Sequence, residues 1–371
     1  MNTYDAIVIG GGIHGCSVAY NLADNNLKVL ILEKDYCARH ASGVNAGGVR
    51  RLGRDLREIE LADFSMREYW HKIDTFLDDD CEFVKTSQIK IAMGEEAMEF
   101  SKKRVKQVQD MGFEHEQWID RDALKSILPD ISNQAVGAIL VDGDGHANPF
   151  KTTIALKQKA IKYGVDVKEC EKVLDIKGDD VLSWDVKTDK NTYRAKYIIN
   201  CSGAWGDKIA GYFGDIIPFS VSCSLLSITS KVDIFLNHVI GFQGRTLSLK
   251  QFKNGSLMIG GGFKGSYNLD TNKTGVDFTQ IAQNVSNASE LFEKLRDVRI
   301  VRSWGGIEGQ CQDKIPTISQ STKYETVFHN FGYSSHGFEP AFGSGKIVSQ
   351  MLLGQKLSIS NIDEFRVDRF K

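Results

Sequence analysis

The first strand and turn of this chain leave little freedom in what can follow. An apolar run, Asp5-Ala6-Ile7-Val8-Ile9, enters Gly10-Gly11-Gly12-Ile13-His14-Gly15, and a second apolar run, Val29-Leu30-Ile31-Leu32, ends on Glu33. Strand, glycine turn, helix, strand and acid in this order form a dinucleotide-binding unit, and each part has a mechanical reason. Gly10 permits the tight turn, Gly12 lets the backbone approach a pyrophosphate, and Gly15 lets the helix (about Ile13 to Asn25) pack against the strand. The helix N-terminus offers unpaired N–H groups and partial positive charge to phosphates. Glu33 is placed to accept hydrogen bonds from a ribose diol, and its charge disfavours a 2′-phosphate.

The 371 residues exceed what one core usually holds, so two lobes are expected. With 42% hydrophobic and 25% charged residues, the chain is compositionally an ordinary globular protein. A net charge of −2 argues against nucleic acid as a partner, and no apolar run approaches membrane-spanning length. The basic run Lys102-Lys103-Arg104 reads as the solvated face of a helix. Seven cysteines form no CxxC pair and no metal-ligand spacing, so free thiols in a reducing cytoplasm are expected, with no metal. No basic leader precedes the first strand, which also points to a cytoplasmic protein.

Further along, Ala41-Ser42-Gly43-Val44-Asn45-Ala46-Gly47-Gly48 is rich in small residues, as a backbone needs when it approaches a planar ligand. A long amphipathic helix is expected from Leu56 to Leu77, and helices from Gly94 to Met111 and Arg121 to Ile127. Asn148-Pro149 reads as an N-cap followed by a first-turn proline, with His146 a turn residue just before. An apolar strand opens into Asn200-Cys201-Ser202-Gly203-Ala204-Trp205, and strands and turns dominate from Pro218 to Arg302. Near the C-terminus, Gly332-Tyr333-Ser334-Ser335-His336-Gly337-Phe338 precedes Gly343-Ser344-Gly345-Lys346, read as a turn opening a last helix. The nucleotide domain is therefore assembled from three pieces, 1–80, 141–217 and 325–371, and the second domain from 81–140 and 218–324.

With Arg302-Ser303-Trp304-Gly305-Gly306, Asp313 and Pro316 added, these motifs resemble the D-amino acid oxidase-like flavoproteins over nearly the whole chain. Within that family the Asn-Ala-Gly-Gly-Val-Arg loop is most similar to the sarcosine oxidase and proline or hydroxyproline dehydrogenase β-subunit branch, with glycine oxidase-like members nearby. The resemblance implies an α/β fold: a discontinuous Rossmann-like FAD-binding domain with a second, α+β substrate domain on a mostly antiparallel sheet. It implies FAD contacts at Gly10, Gly12, Ile13, His14, Gly15, Glu33, Lys34, Ser42, Asn45, Ala46, Gly47, Gly48, Val173, Cys201, Ser202, Gly203, Trp205, Gly306, Gly337, Phe338 and Glu339. The Gly343–Lys346 turn would bring backbone N–H groups to the pyrimidine edge of the flavin. The covalently flavinylated dimethylglycine dehydrogenase-like branch carries a histidine before Ala-Ala-Gly, where this chain has Val44 ahead of Asn45-Ala46-Gly47, and Cys311 lies too close to Asp313 to match the tethering cysteine of the monomeric sarcosine oxidases. FAD is therefore expected to be non-covalent.

The family oxidises a carbon–nitrogen bond beside a carboxylate by hydride transfer to flavin N5. The resemblance accordingly implies a small amino or imino acid substrate and admits partner subunits or an electron-acceptor protein. A carboxylate requires a guanidinium or ammonium. Arg302, beside Trp304, is the first candidate, and Arg50 and Arg51 are the others. His336 is read as a hydrogen-bonding group toward substrate or flavin, or as a residue satisfied behind them, and His14 mainly as helix surface. Glu339 stands where sarcosine oxidases have lysine; it either attracts a cationic substrate group or pairs with a neighbouring Arg or Lys. Met258 aligns with a lysine thought to activate oxygen in those oxidases, which favours a dehydrogenase. The alternatives are a flavin subunit active only in a hetero-oligomer and an L-2-hydroxy-acid oxidoreductase.

Overall fold

A computed structural model describes residues 2–371. Strand β1 (Asn2–Ile9), helix α1 (Ile13–Asp24) and strand β2 (Val29–Leu32) form the expected parallel unit, with Ile7 opposite Leu30. β1 is central: its other neighbour is Thr192–Asn200, again parallel, with Ile7 opposite Ile198. Strand Asp166–Lys168 extends the parallel sheet beyond β2, and Val327–Phe331 extends it beyond Thr192–Asn200. Helices and loops cover both faces, which explains why Ala6–Ile9 of β1 and all of β2 are apolar rather than alternating. Ala6 and Val8 join one core with Cys16, Ala19, Phe342, Ile347 and Val348, while Ile7 and Ile9 join another with Trp184 and Phe213.

A second eight-stranded sheet carries its own core, built from Ile89, Ile91, Ile240, Leu249 and Ile259 under the helical residues Leu124, Ala288 and Leu291. Its pairings are antiparallel except that Val239–Phe242 runs parallel to Gln88–Met93. A small three-stranded sheet, Gly48–Val49, Gly145–His146 and Val84–Lys85, pins the small-residue loop, so His146 is a buried strand residue rather than part of a turn.

Three local expectations are corrected. The segment from Leu56 to Leu77 is not one helix: helical pieces at Ile59–Glu68 and Ile73–Leu77 are separated by a break at Tyr69 and a 3₁₀ turn at Trp70–Lys72. The break carries the fully buried Trp70 to the Glu339 carbonyl, to which its indole N–H donates at 2.7 Å. The last helix spans Ala341–Leu352, so Gly343, Ser344 and Gly345 lie inside it and form no turn. Their smallness serves packing: a Cβ on Gly345 would stand 2.1 Å from Ser17 Oγ of α1, and one on Gly343 3.1 Å from Ser65 Cβ. Strand Thr317–Gln320 pairs with Val327–Phe331 in the first sheet, although the boundary at 324 placed it in the second domain. No helix among the described residues is long and apolar enough to cross a membrane.

Candidate functional site

One continuous cavity of about 1180 Å³ runs from the end of β2 to the segment preceding the last helix, and its walls come from both sheets. At the nucleotide end, Gly10 has φ +113, and a Cβ there would lie 2.4 Å from the Cys201 carbonyl oxygen. A Cβ on Gly12 would lie 2.8 Å from Ser42 Oγ, which accepts a hydrogen bond from the Ile13 N–H at 3.0 Å. The turn is thus as close to its surroundings as backbone can be, at a helix N-terminus suited to phosphate. Glu33 is held by both oxygens, accepting from Gly11 N–H at 2.7 Å and Asp35 N–H at 2.8 Å, and burial pushes its carboxyl up. Lys34 Nζ sits 3.1 Å from the centre of the Trp205 ring and donates to Asn272 Oδ1 at 2.7 Å. Val173, Cys201, Ser202 and Gly203 complete this end of the wall. A cradle of glycines, a helix N-terminus and an acid at the end of β2 fit an extended dinucleotide such as FAD.

The middle is walled by Ser42, Val44, Asn45, Ala46 and Gly48 on one side and by Gly306, Gly337 and Phe338 on the other. Asn45 braces its own loop, its amide donating to Ala41 O and its Oδ1 accepting from Gly47 N–H. Trp304 Nε1 donates to the Val44 carbonyl at 2.9 Å, and a Cβ on Gly306 would press on Val44 Cγ2 at 2.9 Å. Glu308, two residues on along the same strand face, accepts from Ser335 Oγ at 2.6 Å and Lys264 Nζ at 3.1 Å. His14 is not helix surface. Its ring stacks on Tyr333 at 3.8 Å, its Nδ1 lies 3.0 Å from Ser344 Oγ, and burial lowers its pKa to about 3, so it stays neutral.

Charged groups concentrate at the far end. Arg50 lines the cavity, donates from Nη1 to Leu52 O at 2.5 Å and has no carboxylate partner among the described residues; burial lowers its pKa to about 10. Arg54, which the sequence did not single out, also lines the cavity and spans three acceptors: Arg50 O, His336 O and Glu339 Oε2. His336 lines the cavity with Nδ1 2.9 Å from Ser334 O and Nε2 2.9 Å from Glu58 Oε2. Burial holds His336 well below its ordinary pKa and raises Glu58 to about 7. With Nδ1–H donating to the Ser334 carbonyl, Nε2 accepts, and the proton of the pair resides on Glu58.

Several expected site residues lie elsewhere. Arg302 shares a strand face with Trp304, Gly306 and Glu308, but it sits beyond the cavity, exposed and opposite Ile228. The alternation was readable; that the strand outruns the cavity by two residue pairs beyond Gly306, roughly 13 Å, was not. Glu339 is fully buried and paired with Arg54, and it does not line the cavity. Arg51 pairs with Asp144 and Asp63. Gly15 and Gly47 do not reach the cavity: a Cβ on Gly15 would meet Gly10 O at 1.9 Å, and one on Gly47 would meet Ala147 O at 2.0 Å. The Gly343–Lys346 backbone is packed inside the last helix, away from the cavity. Beyond Arg54, the residues missed are Glu58, Lys90 and Lys250. Lys250 is buried beside Met258 on the adjacent strand and donates to Ala46 O at 2.7 Å. A charged residue flanked by isoleucines in an apolar strand was the available signal at Lys90; Lys250, in a strand of mixed polarity, offered none.

The family model described as FAD dependent oxidoreductase (DAO) matches residues 5–351. Sarcosine oxidase subunit beta of Arthrobacter sp is 26% identical, across 100% of this chain and 91% of that protein. Glycine oxidase of Bacillus licheniformis is 23% identical, across 99% of this chain and 97% of its own length. Among solved structures, glycine oxidase from Geobacillus kaustophilus superposes with a TM-score of 0.89 at 19% identity, covering 100% of this chain and 99% of that one. L-proline dehydrogenase from P. horikoshii superposes with a TM-score of 0.90 at 21% identity, covering 100% and 98%. At such identities the superpositions speak for the fold.

Proposed function

Because this chain belongs to the FAD dependent oxidoreductase (DAO) family, we propose that it oxidises an amino or imino acid, secondary amines or D-amino acids being the favoured class, with non-covalently held FAD. When bound, FAD supplies the hydride acceptor, at N5. The observation that carries the reading is Arg50, a guanidinium without a carboxylate partner in the cavity wall between the Ser42–Gly48 loop and His336. A guanidinium in that state suits a bidentate carboxylate, which would fix the substrate's carbon–nitrogen bond relative to the loop. His336 is neutral, its Nδ1 taken by the Ser334 carbonyl and its Nε2 by Glu58, so it shapes the cavity wall without adding charge to the site. The relatives named for sarcosine and glycine act on small carboxylated amines, in agreement with this site.

Non-covalent binding is supported by Val44 at the loop position and by Cys311, which is buried against Thr317 and does not line the cavity. A dehydrogenase is favoured over an oxidase, because neither Met258 nor Lys250 reaches the cavity wall. A second reading, a flavin subunit acting only with partners, is favoured by the likeness to a protein named as subunit beta. The test is anaerobic mixing of the FAD-loaded protein with D-, L- and N-methyl amino acids, prolines and 2-hydroxy acids. Bleaching of the flavin by an amino or imino acid is expected; bleaching by hydroxy acids alone would overturn the reading. Bleaching that requires added partner subunits would establish the second one.

A further inference from the structure

Lys90 sits in the strand Gln88–Met93, where Ile89 and Ile91 are fully buried in the second core. Gln88 and Lys90 face the other way and line the cavity. In the neighbouring parallel strand, Lys90 stands opposite Gly241. Its Nζ approaches Gly53, where a Cβ would lie 3.4 Å from Lys90 Nζ and 4.0 Å from Arg50 Nη1. Two cationic heads thus converge on one corner of the cavity.

The acids around that corner already have partners. Glu116 accepts from Arg104 at 2.9 and 3.0 Å and from Gly53 N–H at 2.8 Å. Glu339 is bound to Arg54, Asp144 to Arg51, and Glu58 to His336. Arg245 lines the cavity too but is bound to Glu290. Arg50 and Lys90 remain without a carboxylate among the described residues, and largely buried charge without a partner is unfavourable unless something supplies the anion. A monocarboxylate satisfies one of them.

Resting on the amino-acid reading above, we propose that Lys90 receives a second carboxylate, so that the substrate is a dicarboxylic amino or imino acid held between Arg50 and Lys90. Burial, reinforced by the positive charge of Arg50, lowers the Lys90 pKa to about 8, so a bound anion would also restore its ordinary proton affinity.

The test is calorimetric binding of acetate, malonate, succinate, glutarate and inorganic phosphate to the FAD-loaded protein, a readout that needs no turnover. At least one dicarboxylate should bind on the order of 10-fold or more tighter than acetate. Lys90→Met should abolish that margin, and Lys90→Arg should restore most of it. The proposal is overturned if acetate binds as tightly as every dicarboxylate, if the margin survives Lys90→Met, or if phosphate outcompetes all the dicarboxylates. Lys90-dependent dicarboxylate binding by a protein whose flavin no amino acid bleaches would leave the subsite standing and the functional reading fallen. Bleaching by amino acids without any Lys90-dependent margin would do the reverse.

Discussion

Arg54 Nη2 stands 3.1 Å from Glu339 Oε2, and both side chains are almost wholly withdrawn from solvent. Arg54 lines the cavity with Glu339 behind it, and the same guanidinium holds the His336 carbonyl at 2.6 Å. Glu339 therefore neutralises a wall arginine instead of reading a ligand. Glu339→Ala should cost on the order of 3 kcal/mol of stability, measurable by urea titration, because it removes the acceptor of a buried guanidinium. Preference between basic and neutral substrates should not change; selective loss of basic ones would return Glu339 to the binding surface.

Arg50 and Arg302 separate cleanly. Arg50→Lys keeps the charge but loses the bidentate fork, so kcat/KM should fall roughly 10- to 1000-fold. Arg302→Lys should leave kcat/KM unchanged, since Arg302 is exposed beyond the cavity. Steady-state kinetics on both variants decide it, and the opposite ranking would place the clamp on the late strand.

The contrast between these two arginines shows what local sequence can reveal. The Gly10–Gly15 turn with Glu33 is readable because strand, turn, helix and acid follow one another within one strand–helix–strand unit, and Glu33 returns to accept from the Gly11 N–H. Asn148 is readable for the same reason: it caps its helix by accepting from Lys151 N–H. Arg54 and Lys90 were not, because their significance depends on which distant carboxylates are already occupied. Gly343 and Gly345 misled in the other direction: glycine reads as a turn, but here it marks where helices touch.

Glu33→Ala should weaken FAD retention by roughly 1–3 kcal/mol in equilibrium dialysis, through loss of an acceptor that also holds the Gly11 and Asp35 N–H groups. Acid unfolding of the wild-type protein should release all its yellow colour. Flavin that stays with the precipitated chain would show a covalent bond.

Stability should carry a pH signature from Glu58. Burial raises this carboxyl from its ordinary 4.5 to about 7, so the folded state binds its proton more tightly than the unfolded state does. The resulting stabilisation is full below about pH 4.5 and is lost as pH rises through about 7, by on the order of 2–3 kcal/mol. Glu58→Gln can donate to His336 Nε2 at every pH, so its Tm should fall less than that of wild type between about pH 5 and pH 8. Parallel Tm curves would show that Glu58 does not titrate in this window.

Once reduced, the protein should pass electrons to a dye or quinone faster than to oxygen. No lysine ammonium faces the middle of the cavity: Met258 stands on one strand, and Lys250 on the next is spent on the Ala46 carbonyl. Stopped-flow reoxidation in air-saturated and dye-containing buffer compares the two directly. Rapid reoxidation by air with stoichiometric peroxide would classify the protein as an oxidase.

The packing of Gly345 against Ser17 has a consequence for how the protein is made. The first strand and helix synthesised share a core with Phe342, Ile347 and Val348, and Val327–Phe331 lies beside Thr192–Asn200 in the same sheet. Until the segment 327–352 has emerged from the ribosome, the N-terminal unit lacks the surface it packs on and His14 lacks Tyr333 and Ser344. The second sheet contains no strand from that tail and can order first. Cofactor loading should therefore wait for the segment 327–352, and removing that segment should remove the yellow colour even though every residue of the glycine turn is still present.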